Sequence, residues 1–197
     1  MSKHARNPGK TKKKYTKSWG EKLPQIIYYD EADMLFAACE DIEELGFLHV
    51  GFFGGLRISE ILGLRPIDVR PDIYAVYVRE ETAKNGRARW VPVTPTTISL
   101  LRGLGKGKDE GERIFSRGVR AYQLRFDKLT VRAGITRKLN PHMMRHTCAT
   151  MQLDRNIDMK TVSENLGHSS MEITEIYLHL DIRRRRAKYQ DGMRGII

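Results

Sequence analysis

Cysteine is scarce in this chain of 197 residues, and long apolar runs are missing. Cys39 and Cys148 are the only cysteines, they form no C-x-x-C pair, and both fall in helical apolar patterns. We expect buried thiols in a reducing compartment rather than a disulfide framework. No apolar run approaches membrane-spanning length, and polar, basic residues rather than a signal-peptide core follow Met1. These absences predict a cytoplasmic protein.

Motifs for nucleotides and metals are also missing. The glycine-rich stretch 103–111 has neither a preceding strand nor a G-K-[ST] step, so we interpret it as a surface loop. His142 and His146 are four residues apart, as in the zinc motif H-E-x-x-H, but Met143 stands in place of the required glutamate. No later histidine has a known third-ligand spacing. We therefore predict no metal site and expect His146 to pack behind the functional residues.

Basic residues outnumber acidic ones by 35 to 24, which gives a formal charge of +11 and a pI near 9.8. This balance favours a polyanionic partner, with nucleic acid as the first candidate. The charge is uneven, because residues 1–22 carry eight lysines and arginines against one glutamate, a charge of +7. We predict a disordered basic arm there. It is an arm that lies along DNA phosphates, or else a linker or the remnant of a missing N-terminal domain.

Apolar periodicity predicts a mainly helical domain that begins at Leu23-Pro24. Asp30 is the expected N-cap of a first helix whose apolar stripe runs to about Glu44. A second, very apolar helix is expected over 45–53, where Gly54-Gly55 ends it. A third helix follows and should bury its apolar residues, Ile58, Ile61, Leu62 and Leu64.

Two β-rich runs, 73–80 and 88–93, flank Asn85-Gly86, which is a strong hairpin signal. Thr94-Pro95 begins a further helix. Another helix is predicted over 117–133, with an apolar face made of Val119, Tyr122, Phe126, Leu129 and Ala133. Its opposite face carries Arg117, Arg120 and Lys128, for which a solvated charged surface is the ordinary interpretation.

The last quarter of the chain holds residues that suit an anionic centre. His142 and Arg145 are three residues apart and share a helix face. Leu166-Gly167-His168 ends a short helix, and Tyr177 follows nine residues after His168. Arginine can hold a phosphate, imidazole can move protons and a phenol can attack. Taken singly, each residue also has an ordinary role: His142 as a helix cap, Arg145 in an ion pair, Tyr177 as a half-buried anchor.

These segments together resemble the tyrosine recombinase (phage integrase) family. H-M-M-R at 142–145 is similar to its H-x-x-R box, L-G-H at 166–168 to its L-G-H box, and Tyr177 to its nucleophile. G-L-R-I-S-E-I-L-G-L at 55–64 resembles its first arginine box and singles out Arg57.

A fourth segment, T-A-K-N-G-R at 82–87, is similar to the family's hairpin context T-K-x-G-x-x-R-x-V-P with one residue inserted. It singles out Lys84, with Arg87 as a bystander. The resemblance covers about residues 24–182, nearly the whole of a catalytic domain expected over 23–182.

The resemblance implies the fold of DNA breaking-rejoining enzymes, mainly α with a small antiparallel β-sheet (α+β). It implies site-specific cleavage and rejoining of DNA through a 3′-phosphotyrosine, with no metal or other cofactor. Arg57 and Arg145 would clamp the scissile phosphate, and His142 and His168 would hydrogen-bond it and move protons. Lys84 would protonate the departing 5′-oxygen, and Tyr177 would attack phosphorus.

The resemblance also implies partners. These are double-stranded DNA and other copies of the chain, tetrameric in the synaptic complex. The helix over 117–133 becomes the candidate DNA-reading element, through Arg117, Arg120 and Lys128. The basic tail, 183–197 with the run Arg183–Arg186, would either dock on a neighbouring protomer or contact phosphates. No DNA-clamping helical domain precedes residue 23, so we expect a catalytic-domain fragment or a minimal recombinase.

Two rival functions stay open. A type IB topoisomerase-like enzyme relaxes DNA with similar residues, and a DNA-binding regulator could keep the fold without catalysis. Covalent trapping separates the regulator from both enzymes, and relaxation of supercoils without exchange between partner sites favours the topoisomerase.

Overall fold

The computed structural model describes residues 25–83, 86–167 and 193. Within them lie seven α-helices: α1 (Tyr29–Ala37), α2 (Ile42–His49), α3 (Ile58–Leu62), α4 (Pro95–Gly105), α5 (Val119–Arg132), α6 (Pro141–Asp154) and α7 (Met159–Leu166). A π-helical turn, Val50–Gly54, continues α2, and a 3-10 turn, Pro66–Asp68, precedes the sheet. The strands are β1 (Val69–Arg70), β2 (Ala75–Val78) and β3 (Arg89–Pro92). A mainly helical fold with a small antiparallel sheet is therefore confirmed.

The three strands form one antiparallel sheet in the order β1-β2-β3. Val76 of β2 lies opposite Val91 of β3, and both side chains are buried against the helices. Tyr77 and Trp90 pair on the other face, with ring centroids 4.9 Å apart, because successive side chains of a strand alternate. The predicted hairpin is confirmed. Its strands are shorter than expected, and the longer segment 79–88 connects them.

The π-helical turn lies at the centre of the core and packs against α6. Glycine permits the close approach, since a Cβ on Gly51 would lie 2.6 Å from the Met144 Cε atom. The same is true just after the turn, where Gly55 has a φ of 64° and a Cβ would lie 2.4 Å from Leu166 Cδ2. The core therefore brings the segment after the π-helical turn, the middle of α6 and the end of α7 into contact.

The start of the first helix differs from the prediction. Asp30 lies inside α1, and Tyr28 is the N-cap residue. The Tyr28 amide donates a hydrogen bond of 2.8 Å to the Glu31 carboxylate, which gives this backbone donor at the start of the helix a partner. Side-chain type at position 30 favoured an N-cap there, but an acidic residue is equally suited to the first turn.

The boundary between the first two helices was also predicted wrongly. α1 ends at Ala37 rather than near Glu44, and α2 begins at Ile42 rather than Leu45. Asp41 is the N-cap of α2, because its side chain accepts a hydrogen bond of 2.8 Å from the Glu44 amide. Apolar residues continue across the break with helical spacing, so the periodicity hid a boundary that the cap residue marks.

Two later helices show the limits of the same patterns. Thr94 caps α4 and Pro95 is its first residue, as predicted. α5 begins at Val119 rather than Arg117, and Val119 is 40% exposed rather than buried. The rest of its apolar face packs on the core as expected: Tyr122, Phe126 and Leu129 are buried and Ala133 is half-buried. Among the residues described, no helix combines the length and apolarity that crossing a bilayer requires.

Candidate active site

The first turns of α6 present His142 and Arg145 on one side of the helix, as their spacing predicts. Asn140 caps the helix by accepting a hydrogen bond of 3.0 Å from the His142 amide, and Pro141 is the first helical residue. The His142 side chain is exposed, whereas Arg145, almost one turn further in, is 2% exposed. One residue therefore faces a ligand approaching from solvent, and the other forms the floor beneath it.

Arg145 connects three parts of the chain through its guanidinium group. Its Nη1 donates to the carbonyl of Gly55 over 2.8 Å, and its Nη2 donates to the carbonyl of Leu166 over 2.6 Å. Gly55 lies two residues before Arg57, and Leu166 lies two residues before His168. The planar guanidinium thus fixes the backbone of both segments around the site.

Glu60 lies at the centre of a second set of contacts and is 1% exposed. The Arg57 amide and Arg57 Nη1 donate to its two oxygens over 2.9 and 3.1 Å. Burial alone raises the pKa of Glu60. Hydrogen bonds and charge from Arg89, with the Arg57 amide, nevertheless hold that pKa below its ordinary value. An ionised Glu60 therefore orients Arg57, whose side chain is mostly buried.

Arg89 of β3 is a site residue that the motifs did not single out. Its two Nη atoms bind both Glu60 oxygens over 3.1 and 3.0 Å, and its Nε donates to the Asn165 carbonyl over 3.0 Å. Gly167 ends α7 with a φ of 64°, which favours glycine, and a Cβ there would lie 2.8 Å from this guanidinium. Arg89 is the arginine of the family's R-x-V-P pattern. This match was the sequence signal that could have identified it as a site residue.

His142 and His146 form a second pair at the same end of α6. Their ring centroids are 4.6 Å apart in an edge-to-face arrangement. Burial, with further contributions from His142 and Arg145, lowers the pKa of His146 to about 4, so this ring is neutral at pH 7. Over the described ranges, no group of three or more histidine, cysteine or acidic side chains could hold a metal ion.

Three of the predicted site residues, Lys84, His168 and Tyr177, lie outside the residues that the structure describes. The same holds for the basic arm and for the tail apart from Met193. The chain is described up to Ala83 on one side of Lys84 and up to Gly167 before His168. Of the six predicted catalytic residues, the structure therefore places Arg57, His142 and Arg145, and it shows how α3, α6 and β3 meet there.

The described part of the site has an excess of positive charge. Arg57 and Arg89 share the single buried carboxylate of Glu60, and Arg145 is near enough that its charge also lowers the pKa of Glu60. Guanidinium groups stay ionised and form bidentate hydrogen bonds with phosphate oxygens. This set of residues can stabilise a phosphate whose negative charge grows during a displacement.

Arg117, Arg120 and Lys128 are all exposed, as predicted for a candidate DNA-binding face. Arg120 and Lys128 lie on one outward row of α5, which also contains Gln123, Leu124, Asp127 and Val131. Arg117 precedes the helix, and its Nη1 is 3.7 Å from the Glu43 carboxylate. The three side chains therefore do not form one row, because the helix begins after Arg117.

The described fold is similar to that of tyrosine recombinase catalytic domains. The family model described as the phage integrase family matches residues 25–184. The chain belongs to this family.

Individual relatives agree with this assignment. Tyrosine recombinase XerC of Listeria monocytogenes is 34% identical over 182 residues, with 81% of this chain and 59% of the relative covered. The structure of XerA recombinase is similar with a TM-score of 0.73 and 25% identity, over 87% of this chain and 66% of that one. XerH, solved on its difH substrate in a post-cleavage complex, has a TM-score of 0.67 and 24% identity, over 85% and 53% of the chains. This chain spans about three fifths of the length of XerC.

Proposed function

We propose that the protein cleaves and rejoins DNA strands at specific sites through a 3′-phosphotyrosyl intermediate. The observation that carries the proposal is the Arg145 guanidinium, which fixes the segments leading to Arg57 and to His168 by two backbone hydrogen bonds. The order and spacing of the family's site residues support it, as does the similarity to XerC. XerH, which shares the fold, was solved on a DNA substrate.

In the proposed first step the Tyr177 oxygen attacks the scissile phosphorus. A bond forms between the tyrosine oxygen and phosphorus, and the bond from phosphorus to the 5′-oxygen breaks. Lys84 gives its proton to that departing oxygen, and the histidines His142 and His168 take part in moving the tyrosine proton. Arg57 and Arg145 hold the non-bridging oxygens as charge develops on them.

The reaction needs no external energy, because the phosphotyrosine ester retains the energy of the phosphodiester bond. A 5′-hydroxyl from the same or a second DNA duplex can then attack the ester and release the tyrosine. The proposed cations do the electrostatic work that bound metal ions do in other phosphoryl-transfer enzymes. The geometry of the arginine cluster supports this role, since one carboxylate faces three arginines.

Double-stranded DNA is the proposed partner, with further copies of the chain assembled on it as a tetramer. Lys and Arg side chains provide affinity for phosphates, and exposed side chains of α5 can reach base edges. Arg120 and Lys128 project from the outward row of α5 and are candidates for these contacts. The tail, residues 183–197, is proposed to dock on a neighbouring protomer.

Covalent trapping on nicked duplexes tests the proposed function. Duplexes that carry the attachment sequences flanking the gene should give a denaturation-resistant protein–DNA adduct, with chelator present. Tyr177→Phe should abolish the adduct and leave DNA binding nearly unchanged, because only the attacking oxygen is removed. Tyr189→Phe is the matched control and should trap adduct like the unmodified protein.

The same assay separates the rival functions. DNA binding without an adduct would indicate a regulator. An adduct with relaxation of supercoils but no exchange between two sites would indicate a topoisomerase-like enzyme. An undiminished adduct in Tyr177→Phe would reject Tyr177 as the nucleophile and turn attention to Tyr189.

A further inference from the structure

A cationic cleft adjoins the arginine cluster without sharing a residue with it. It has a volume of about 250 Å³ and lies between α3, the segment after β2 and the start of α5. Its polar lining includes Ser59, Thr82, Arg113 and Arg117, followed by the backbone of Gly118 and Val119. Ser59 lines the cleft and the next residue, Glu60, binds Arg57 and Arg89, so α3 joins the cleft to the arginine cluster.

Acidic side chains near the cleft already have arginine partners. Glu81 lines the cleft, and its carboxylate is 3.4 Å from Nη2 of Arg65. Glu43 lies 3.7 Å from Arg117 and also accepts hydrogen bonds from Tyr122 and Arg125. Glu43 offsets part of the Arg117 charge, but the lining itself has two arginines, Arg113 and Arg117, against the single carboxylate of Glu81, and Arg113 is exposed.

The start of α5 adds hydrogen-bond donors to the same cleft. α5 has 14 residues, its N-cap is Gly118, and no side chain caps it. The first amides of an α-helix have no partner within the helix, and the helix dipole makes this end positive. A Cβ at Gly118 would meet nothing within 4 Å, so a ligand can approach this backbone closely.

We propose that this cleft binds a second DNA backbone phosphate, next to the scissile one on the strand. Arg113 and Arg117 supply guanidinium groups, Ser59 and Thr82 supply hydroxyls, and α5 supplies main-chain amides, which together match a phosphodiester. The identity of the ligand rests on the proposed function. The cleft holds one phosphate while Arg57 and Arg145 hold the neighbour, which fixes the register of the strand.

Substitutions at Gly118 test the cleft because stability and affinity should change in different directions. Gly118 has a φ of −78° and a ψ of 168°, which other residues adopt without strain. Asp and Asn are equally good N-caps and better than Gly by a few tenths of a kcal/mol, so neither should lower Tm. Gly118→Asp should weaken binding to a mixed-sequence duplex about tenfold, because it puts a carboxylate where the phosphate lies. Gly118→Asn, which competes for the amides without charge, should weaken it less.

Arg113 provides a second and independent measurement. Arg113→Gln should flatten the plot of log affinity against log salt concentration by about 0.9, the value for one neutralised phosphate. Adding Gly118→Asn to Arg113→Gln should flatten it no further, since both changes act on the same phosphate. Arg102→Gln, an exposed arginine near the end of α4 and outside the cleft, is the matched control and should leave the slope unchanged.

Wild-type affinity and salt slope in both Gly118→Asp and Arg113→Gln would overturn the second phosphate site. That result leaves the proposed function standing if the unmodified protein still traps the covalent adduct. Failure of the proposed function has a different signature, because the unmodified protein would then form no adduct on any nicked site. A lower Tm in Gly118→Asp would leave Arg113→Gln to decide.

Discussion

Two clusters of arginines and carboxylates in this domain differ in charge balance. The site cluster is Glu60 with Arg57, Arg89 and the nearby Arg145. The bracing cluster joins the start of α2 to α5, and its members are Glu40, Asp41, Glu43, Glu44, Arg125 and Arg132. The site cluster has one carboxylate for three arginines, whereas the bracing cluster has four carboxylates for two arginines.

The difference shows what each network of ion pairs is suited to do. In the bracing cluster each arginine contacts at least one carboxylate, and Arg125 contacts three. Because each arginine of this network has carboxylate partners within the protein, the network needs no ligand, and it holds the inner side of α5 while the outer row stays exposed. In the site cluster the arginines exceed the carboxylate, and an anion such as phosphate would complete it. Charge balance, rather than the number of ion pairs, separates the two roles.

The largest expected effect is on Glu60. Glu60→Gln should lower the free energy of unfolding by about 3–5 kcal/mol, because it leaves the buried charges of Arg57 and Arg89 without their common partner. Urea unfolding measures this loss. If Glu60→Gln does not fold, Glu60→Asp, which keeps the charge, should fold and recover part of the stability. A loss below about 1 kcal/mol would mean that the arginines are solvated without Glu60.

A pH titration of the free energy of unfolding tests the partly buried His146 ring beside the site. The pKa of His146 is about 4 in the folded chain, below the ordinary 6.5, so the unfolded chain takes up the proton more readily. The contribution of the neutral His146 ring to the free energy of unfolding is therefore fully present above pH 6.5 and is lost as pH falls towards 4. Between pH 7 and pH 5 the loss should be about 2 kcal/mol.

His146→Gln should remove most of this pH dependence in urea unfolding. His49, whose burial also lowers its pKa, contributes in the same direction, so the measurement is the difference between the two proteins. Carboxylates with lowered pKa values, including Glu60, lose their contribution to the free energy of unfolding only at pH values below the range in which His146 does. Parallel stability curves for the two proteins above pH 5 would reject the role of His146.

The bracing cluster should tolerate the matching change better. Glu44→Gln removes another buried carboxylate with two arginine partners, Arg125 and Arg132. Both keep other carboxylates, since Arg125 also contacts Asp41 and Glu43 and Arg132 also contacts Glu40. We expect a loss of about 1–2 kcal/mol, smaller than for Glu60→Gln. Equal losses for the two variants would remove the distinction between the clusters.

The smallest effect on the folded domain should come from residues 1–22, which carry +7 and lie outside the described residues. Deleting them should leave the free energy of unfolding unchanged. If the arm lies on DNA, affinity should fall by a similar factor for all sequences. The salt plot should flatten by about 0.9 for each phosphate that the arm neutralises. An unchanged salt slope for residues 23–197 would favour a linker instead.

Local signals predicted those parts of the fold that a few neighbouring residues decide. Thr94-Pro95 starts α4 because a cap and a first-turn proline act within one turn. The break between α1 and α2 was missed because the apolar stripe continues through it. The N-cap residue Asp41, rather than the stripe, decides where α2 begins. The π-helical turn was not predicted either, since Gly51 and Met144 come together only in the tertiary structure.

The site shows the same division. Motif spacing predicted that His142 and Arg145 share one helix, and the structure agrees. The shared carboxylate was not predicted, because Glu60 and Arg89 are 29 residues apart and on different elements. The burial of Arg145 was also not evident, since its partners are backbone carbonyls of residues 55 and 166, which carry no side-chain signature.

The two hydrogen bonds from Arg145 have a consequence for the order of events during synthesis. The carbonyl of Leu166 is one of its two anchors, so the guanidinium cannot be fixed until the chain has been synthesised through Leu166. A nascent chain that ends before α7 already carries Arg57 and His142, but it has no completed pocket. With the proposed function, Arg145 therefore takes up its phosphate-binding position only after α7 has folded against α6.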